Sequence, residues 1–132
     1  MVVVQETGKR KTAVARVTMV KGKGLITVNN EEINKYFSNQ YSVLKAIEPI
    51  FIADVDKKYD IRVNIFGGGV SSQVDAIRQA IAKCLVTITG KDDLKKTFIA
   101  YDRSLIVTDT RFKEMKKPNN SKARAKRQKS YR

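Results

Sequence analysis

Tyr59-Asp60-Ile61-Arg62-Val63-Asn64-Ile65-Phe66-Gly67-Gly68-Gly69-Val70-Ser71-Ser72-Gln73 is the stretch from which the fold is read. Tyr59, Ile61, Val63 and Ile65 alternate with Asp60, Arg62 and Asn64, the period-two pattern of a half-buried strand. Three glycines follow, and from Ser72 to Thr89 the residues Val74, Ile77, Ile81, Cys84, Leu85 and Ile88 recur at three- and four-residue spacing. That spacing lays one apolar stripe along a long helix, with Gly90 as its natural stop.

On either side the signals are shorter. Thr12 to Val20 and Leu25 to Val28 are rich in β-branched residues and predict strands, joined by Lys21-Gly22-Lys23-Gly24 as the loop of a hairpin. Asn29-Asn30 marks a turn. Ser42 is placed to cap a short helix through Val43, Leu44 and Ile47, which Glu48-Pro49 ends or kinks. Asp92 and Asp93 suit the start of another helix with Leu94, Phe98 and Ile99 on its buried side, and Leu105 to Val107 reads as a closing strand or extended segment. Strands and helices mixed in this order predict an α+β class, a single domain whose mixed sheet is covered by helices.

The charge is unevenly placed. The 132 residues carry a formal net charge of +14, an excess that opposes compaction and is usually tolerated because a polyanion neutralises it. Residues 1–110 hold 17 Lys/Arg against 12 Asp/Glu, a net of +5, whereas residues 111–132 hold ten against Glu114 alone, a net of +9. The last segment keeps only Phe112, Met115 and Tyr131 as large non-polar side chains and cannot build a core of its own. Pro118-Asn119-Asn120-Ser121 interrupts any helix begun before it. The expected organisation is therefore a globular body over 1–110 and an extended basic arm over 111–132. At about 3.3 Å per residue such an arm spans on the order of 70 Å.

Several function classes lose their parts. There is no histidine, so the commonest general base and metal ligand are missing, and neither a catalytic residue, a metal site nor a cofactor is expected. Cys84 is the single cysteine, which excludes an internal disulfide and suits a reducing compartment such as the cytosol; its place in the apolar stripe makes it a small core residue. No apolar run approaches a membrane span and Met1 to Arg10 lacks a secretory pattern, so no membrane partner is expected. The glycines are consecutive and no Gly-Lys-Ser/Thr follows, which removes the phosphate-loop reading. Gly67, Gly68 and Gly69 with Ser71 and Gln73 nevertheless put free N–H groups at a helix start. They either hold an RNA phosphate or simply form a tight turn capped by Ser71 or Ser72, and both readings stand.

Three stretches taken together go beyond composition. They are Gly8-Lys9-Arg10-Lys11-Thr12-Ala13-Val14-Ala15-Arg16, then Gly67-Gly68-Gly69 with Gln73 and Ala76-Ile77-Arg78, and finally Lys126-Arg127-Gln128-Lys129-Ser130-Tyr131-Arg132. In this order they resemble the small-subunit ribosomal protein nine family over essentially the whole chain. Tyr101-Asp102-Arg103 and Asp109-Thr110-Arg111 fit the same likeness, and the Gln-Lys-Ser-Tyr-Arg ending is similar to the archaeal and eukaryotic branch.

The resemblance implies an α+β body of the type shared with the second domain of small-subunit protein five. It implies a non-catalytic protein in the head of the small subunit of the cytoplasmic ribosome, with small-subunit ribosomal RNA, peptidyl-site transfer RNA and other head proteins as partners. The residues expected on ribosomal RNA are Lys9, Arg10, Lys11 and Arg16, the glycine turn Gly67, Gly68 and Gly69 with Ser71 and Gln73, and Arg78, Arg103 and Arg111. Along the arm they are Lys116, Lys117, Lys122, Arg124, Lys126 and Arg127. Lys129, Tyr131 and Arg132 are the residues that the resemblance brings to transfer RNA. A free nucleic-acid-binding or RNA chaperone module is the alternative function.

Overall fold

The computed structural model describes residues 3–55 and 57–131. Alternation in the sequence becomes a five-stranded mixed sheet of order β1-β2-β5-β3-β4, formed by β1 (Val3–Arg10), β2 (Ala13–Lys21), β3 (Ile26–Val28), β4 (Glu31–Glu32) and β5 (Tyr59–Phe66). Four helices accompany it: α1 (Ile33–Tyr36), α2 (Gln40–Ile52), α3 (Val70–Thr89) and α4 (Asp92–Tyr101). α3 lies across β1 and β2, and α2 packs beside α3. The core is the seam between them. Ala13, Ala15, Val17 and Met19 of β2 and Ile61, Val63 and Ile65 of β5 meet the stripe Val74, Ile77, Ile81, Cys84 and Leu85. Each large aliphatic side chain so enclosed contributes about 1.5–3 kcal/mol of burial.

The single α+β domain and its helix-covered mixed sheet are as expected, but the order of the strands is not. β2 and β3 are not a hairpin about Lys21–Gly24. β5 inserts between them, antiparallel to β2 with Val17 opposite Val63, and parallel to β3 with Val28 beside Val63. The loop is held open by Asp60, whose Oδ1 accepts the N–H groups of Lys23, Gly24 and Leu25 at 2.8, 2.9 and 3.0 Å. Those bonds hold the Asp60 carboxyl below its ordinary value, Leu25 N–H contributing most. Local sequence favours pairing neighbours, and here the long, alternating β5 supplies a better partner for both.

Other differences are local. Residues Val3–Arg10 form a full edge strand paired along its length with β2, joined to it by the two-residue turn Lys11-Thr12. Asn39, not Ser42, caps α2 by accepting the Tyr41 N–H at 3.0 Å, and Pro49 sits inside that helix. α3 begins at Val70 with Gly69 as its cap residue and no side-chain cap bond, so neither Ser71 nor Ser72 has that role. Gly90 ends it in a left-handed conformation, as its sequence position predicts. In α4 Phe98 is fully buried, Leu94 partly so, and Ile99 is exposed. Arg103–Leu105 is a 3₁₀ turn and not a strand, because Asp102 accepts the Ser104 N–H and curls the chain there.

Candidate nucleic-acid interface

The β1–β2 turn and the glycine run, far apart in sequence, form one ridge. Lys11 occupies the turn with φ +52°, a left-handed conformation that lifts its exposed side chain off the sheet end. Gly67 and Gly68 follow β5 with φ +76° and +66°. A Cβ at Gly67 would lie 2.4 Å from the Thr12 carbonyl oxygen, and one at Gly68 2.9 Å from the Ala13 Cβ. The chain needs glycine at both places for the backbone sign and for the close approach. Gly69 has nothing within 4 Å of its own Cβ position and stands open at the start of α3. Ser71 is exposed in the first turn of that helix. Gln73 faces inward instead: its amide donates to the Gly67 carbonyl at 3.1 Å and accepts from the Tyr36 hydroxyl at 3.1 Å. It props the turn.

Behind the ridge lies a cleft of about 310 Å³ where β1, α2, α3 and the chain after α4 meet. Arg10 pairs with Asp109 and approaches Asp75 at 3.8 Å, while Lys45 of α2 meets Asp75 at 2.8 Å. Arg111 closes on the same Asp109 at 2.7 Å. The Arg111 guanidinium first, then the Arg111 N–H and Arg10, hold the Asp109 carboxyl well below the usual carboxylate range. Deeper in, Arg78 donates to Glu48 at 2.5 Å and to Asp102 at 2.8 Å, and Tyr101 donates its hydroxyl to Glu48. Burial pulls Arg78 down, but its two carboxylates outweigh burial and raise it; Asp102, which burial pushes up, is brought lower by Arg78 and by Ser104. Gln79 accepts the Lys9 N–H at 3.0 Å and reaches Ser104 and Thr108 at 3.4 Å. The network ties β1 and α3 to the point where residues 108–111 leave the body.

Arg78 is therefore 8% exposed and has its Nε and Nη1 donors engaged by acids of the chain itself. What the sequence marks as an RNA residue is, in place, the anchor of the α2–α3–Asp102 junction. Arg78→Met is expected to cost about 2 kcal/mol, below the 3–5 kcal/mol of a fully enclosed pair because Glu48 and Asp102 remain partly solvated. Arg78→Lys should recover only part of this, since a single ammonium lacks the planar fork. Thermal melts monitored by circular dichroism read both; a melting temperature unchanged in Arg78→Met would remove the anchor.

The remaining expected residues are exposed. Lys9 and Arg16 lie on the sheet face away from the helices, and Arg103 opens the 3₁₀ turn. Lys116, Lys117, Lys122, Arg124, Lys126, Arg127, Lys129 and Tyr131 are exposed along a stretch with no helix or strand beyond one isolated bridge, Asn120 to Lys126. The stretch is not straight. Asn119 has φ +63°, and Glu114 draws back Arg124 at 2.8 Å and Lys117 at 3.9 Å, so the chain doubles on itself around Pro118. Arg132 lies outside the described residues. Lys45, Glu48, Asp75, Asp102 and Asp109 were not expected at the site. The motif contexts of Asp102 and Asp109 hint at them. Asp75, one turn into the helix after the glycine run, reads from sequence as an offset to the helix dipole but is met by Lys45 and Arg10, since nothing in a single sequence pairs an acid with its distant base.

Among the described residues no group of His, Cys, Asp and Glu could hold a metal ion, and no helix is long and apolar enough to cross a membrane. Cys84 is buried, and burial pushes its thiol up to about 12, in keeping with a core residue. The sequence model of the family described as ribosomal protein S9/S16 matches residues 8–132. Similar proteins include the small ribosomal subunit protein uS9 of Methanococcus maripaludis, 44% identical with all of both chains covered. That of Thermoplasma volcanium is 49% identical with 96% of each chain covered. That of Methanothrix thermoacetophila is 43% identical over both whole chains. With a family match over nearly the whole chain and archaeal relatives of equal length, this chain belongs to the ribosomal protein S9/S16 family.

Proposed function

We propose that the chain is a structural, non-catalytic component of the small ribosomal subunit, seated in its head in the cytoplasmic ribosome. There it binds ribosomal RNA through one end of its body and through residues 111–132. The observation that carries this is the convergence of the Lys11-Thr12 turn with Lys9 beside it, the open Gly69 and the departure point of residues 108–111 at the same end of the sheet. Phosphates meet mobile cations and free helix N–H groups there, while the cations that must stay put are already held by acids. The helix-covered mixed sheet supports the body type shared with the second domain of small-subunit protein five, with 1–110 as body and 111–132 as arm.

The arm's own contacts are weak. Exposed pairs such as Glu114–Arg124 contribute about 0–1 kcal/mol, and charge-assisted bonds to several phosphates outweigh them. RNA therefore opens the turn at Pro118 and extends the segment, and its last residues, Lys129, Tyr131 and Arg132, reach peptidyl-site transfer RNA. The neighbouring partners are other proteins of the head.

The experiment is reconstitution of small subunits with the intact chain or with one lacking residues 129–132. Both chains should co-sediment with subunits at moderate salt, and the shortened one should weaken peptidyl-site transfer-RNA binding about tenfold, the loss of one or two charge-assisted contacts. Equal transfer-RNA binding would overturn the terminal contact. Failure of the intact chain to co-sediment would instead favour a free nucleic-acid-binding or chaperone role.

A further inference from the structure

The sheet has a second face that α2 and α3 leave uncovered. Its register brings together side chains from three strands: Lys9 stands opposite Val14, and Val14 opposite Phe66; Thr7 stands opposite Arg16, and Arg16 opposite Asn64; Thr18 stands opposite Arg62. Arg62 and Arg16 are diagonal neighbours, about 7–8 Å apart. The burial pattern of β5 leaves Arg62, Asn64 and Phe66 exposed while Ile61, Val63 and Ile65 are buried, and Phe66 is 64% exposed.

Among the described residues neither Arg16 nor Arg62 makes an ion pair. The acids near the face do not answer them. Asp60 is occupied by the three N–H groups of the Lys23–Leu25 loop, and Glu32 sits on the far strand β4, where it accepts from Asn34. The face thus presents free guanidinium groups, one amide side chain able to donate and accept, and one open aromatic ring, set among threonines.

We propose that this open face is a second RNA site, distinct from the glycine ridge and the arm, which binds a single-stranded segment. Phe66 stacks a base, Asn64 meets its hydrogen-bonding edge, and Arg16 and Arg62 hold the backbone beside it. The charge is complementary to a polyanion, and a single exposed aromatic ring flanked by Arg16, Asn64 and the half-buried Val14 fits a base better than a protein surface. A continuous duplex is disfavoured because its paired, stacked bases cannot reach the ring. The inference rests on the RNA-binding reading of the chain.

The test is photo-cross-linking of the full chain to a dodecauridylate containing 4-thiouridine, with the adduct located by mass spectrometry of tryptic peptides, beside binding titrations of the same oligomer. Adducts are expected on Phe66 within peptide 63–78. Phe66→Leu should weaken binding about tenfold with the salt slope intact, the loss of one stacked base. Arg62→Gln should lower the slope by about 0.7, the loss of one phosphate of a single strand. Adducts confined to the ridge, residues 10–12 and 67–73, and to the arm, residues 111–132, with both variants binding as the parent does, would overturn the second site and leave the face to a protein partner. No binding of the oligomer or of small-subunit RNA by the intact chain would overturn the RNA reading itself, and this site with it.

Discussion

Deletion of residues 111–132 is expected to flatten the salt dependence of binding to small-subunit RNA by about 5–7 units of slope and to weaken binding at 0.1 M salt by about a thousandfold or more. Each neutralised phosphate contributes about 0.7–0.9 to the slope of log affinity against log salt. The deleted segment carries ten cations and one acid, and among its described residues Arg111 alone is engaged with an acid of the body. The remaining pairs, Arg124 and Lys117 with Glu114, are exposed and yield to phosphate. Filter binding from 50 to 300 mM salt measures the slope directly. The body should stay folded, because none of its buried hydrophobic core lies beyond Leu105. A truncated chain whose slope matches that of the intact one would mean that the arm does not lie on phosphate.

Gly8→Ala should lower the melting temperature by roughly 10–15 °C, about 3 kcal/mol for a domain of this size. The Gly8 Cβ position is 2.1 Å from the Ala76 carbonyl oxygen and 2.8 Å from the Ala80 nitrogen, both in the backbone of α3, so no flexible side chain can move aside. Either β1 lifts from α3 or the helix shifts. Gly69→Ala is the matched control: its Cβ would meet nothing within 4 Å and its φ of −102° suits any residue, so its cost should stay under about 1 kcal/mol. Equal melting of the two variants would contradict the close packing of β1 on α3. The pair also separates two uses of glycine within the family motifs. Gly8 serves packing, whereas Gly69 leaves a helix start open.

Legibility in the sequence followed the range of the forces involved. β5 and α3 were readable because a strand with one wet face and a helix with one apolar stripe write their periods into adjacent residues, and the left-handed stop at Gly90 is equally local. The 3₁₀ turn at Arg103–Leu105 was missed because three residues carry too little pattern against the apolar run Leu105–Val107. Arg78 shows the limit for site residues. A basic side chain four residues after Val74 on a helix gives no sign of whether it faces solvent or two carboxylates, and Glu48 and Asp102 reach it from 30 and 24 residues away.

The uneven charge, the missing histidine, the helix and strand periods and the three family motifs are properties of the chain in one dimension, and they sufficed for an α+β body with a basic end and for its family. Strand order was decided in three dimensions: β5 enters between β2 and β3 because its buried face completes the layer under α3, a gain that no neighbouring pair can register. The same folding step selects which cations are spent inside. It closes Arg78, Arg10 and Arg111 onto acids of the body and leaves Arg16, Arg62 and, among the described residues, most cations beyond Arg111 exposed without a partner, since only charges without a nearby partner keep their full attraction for phosphate.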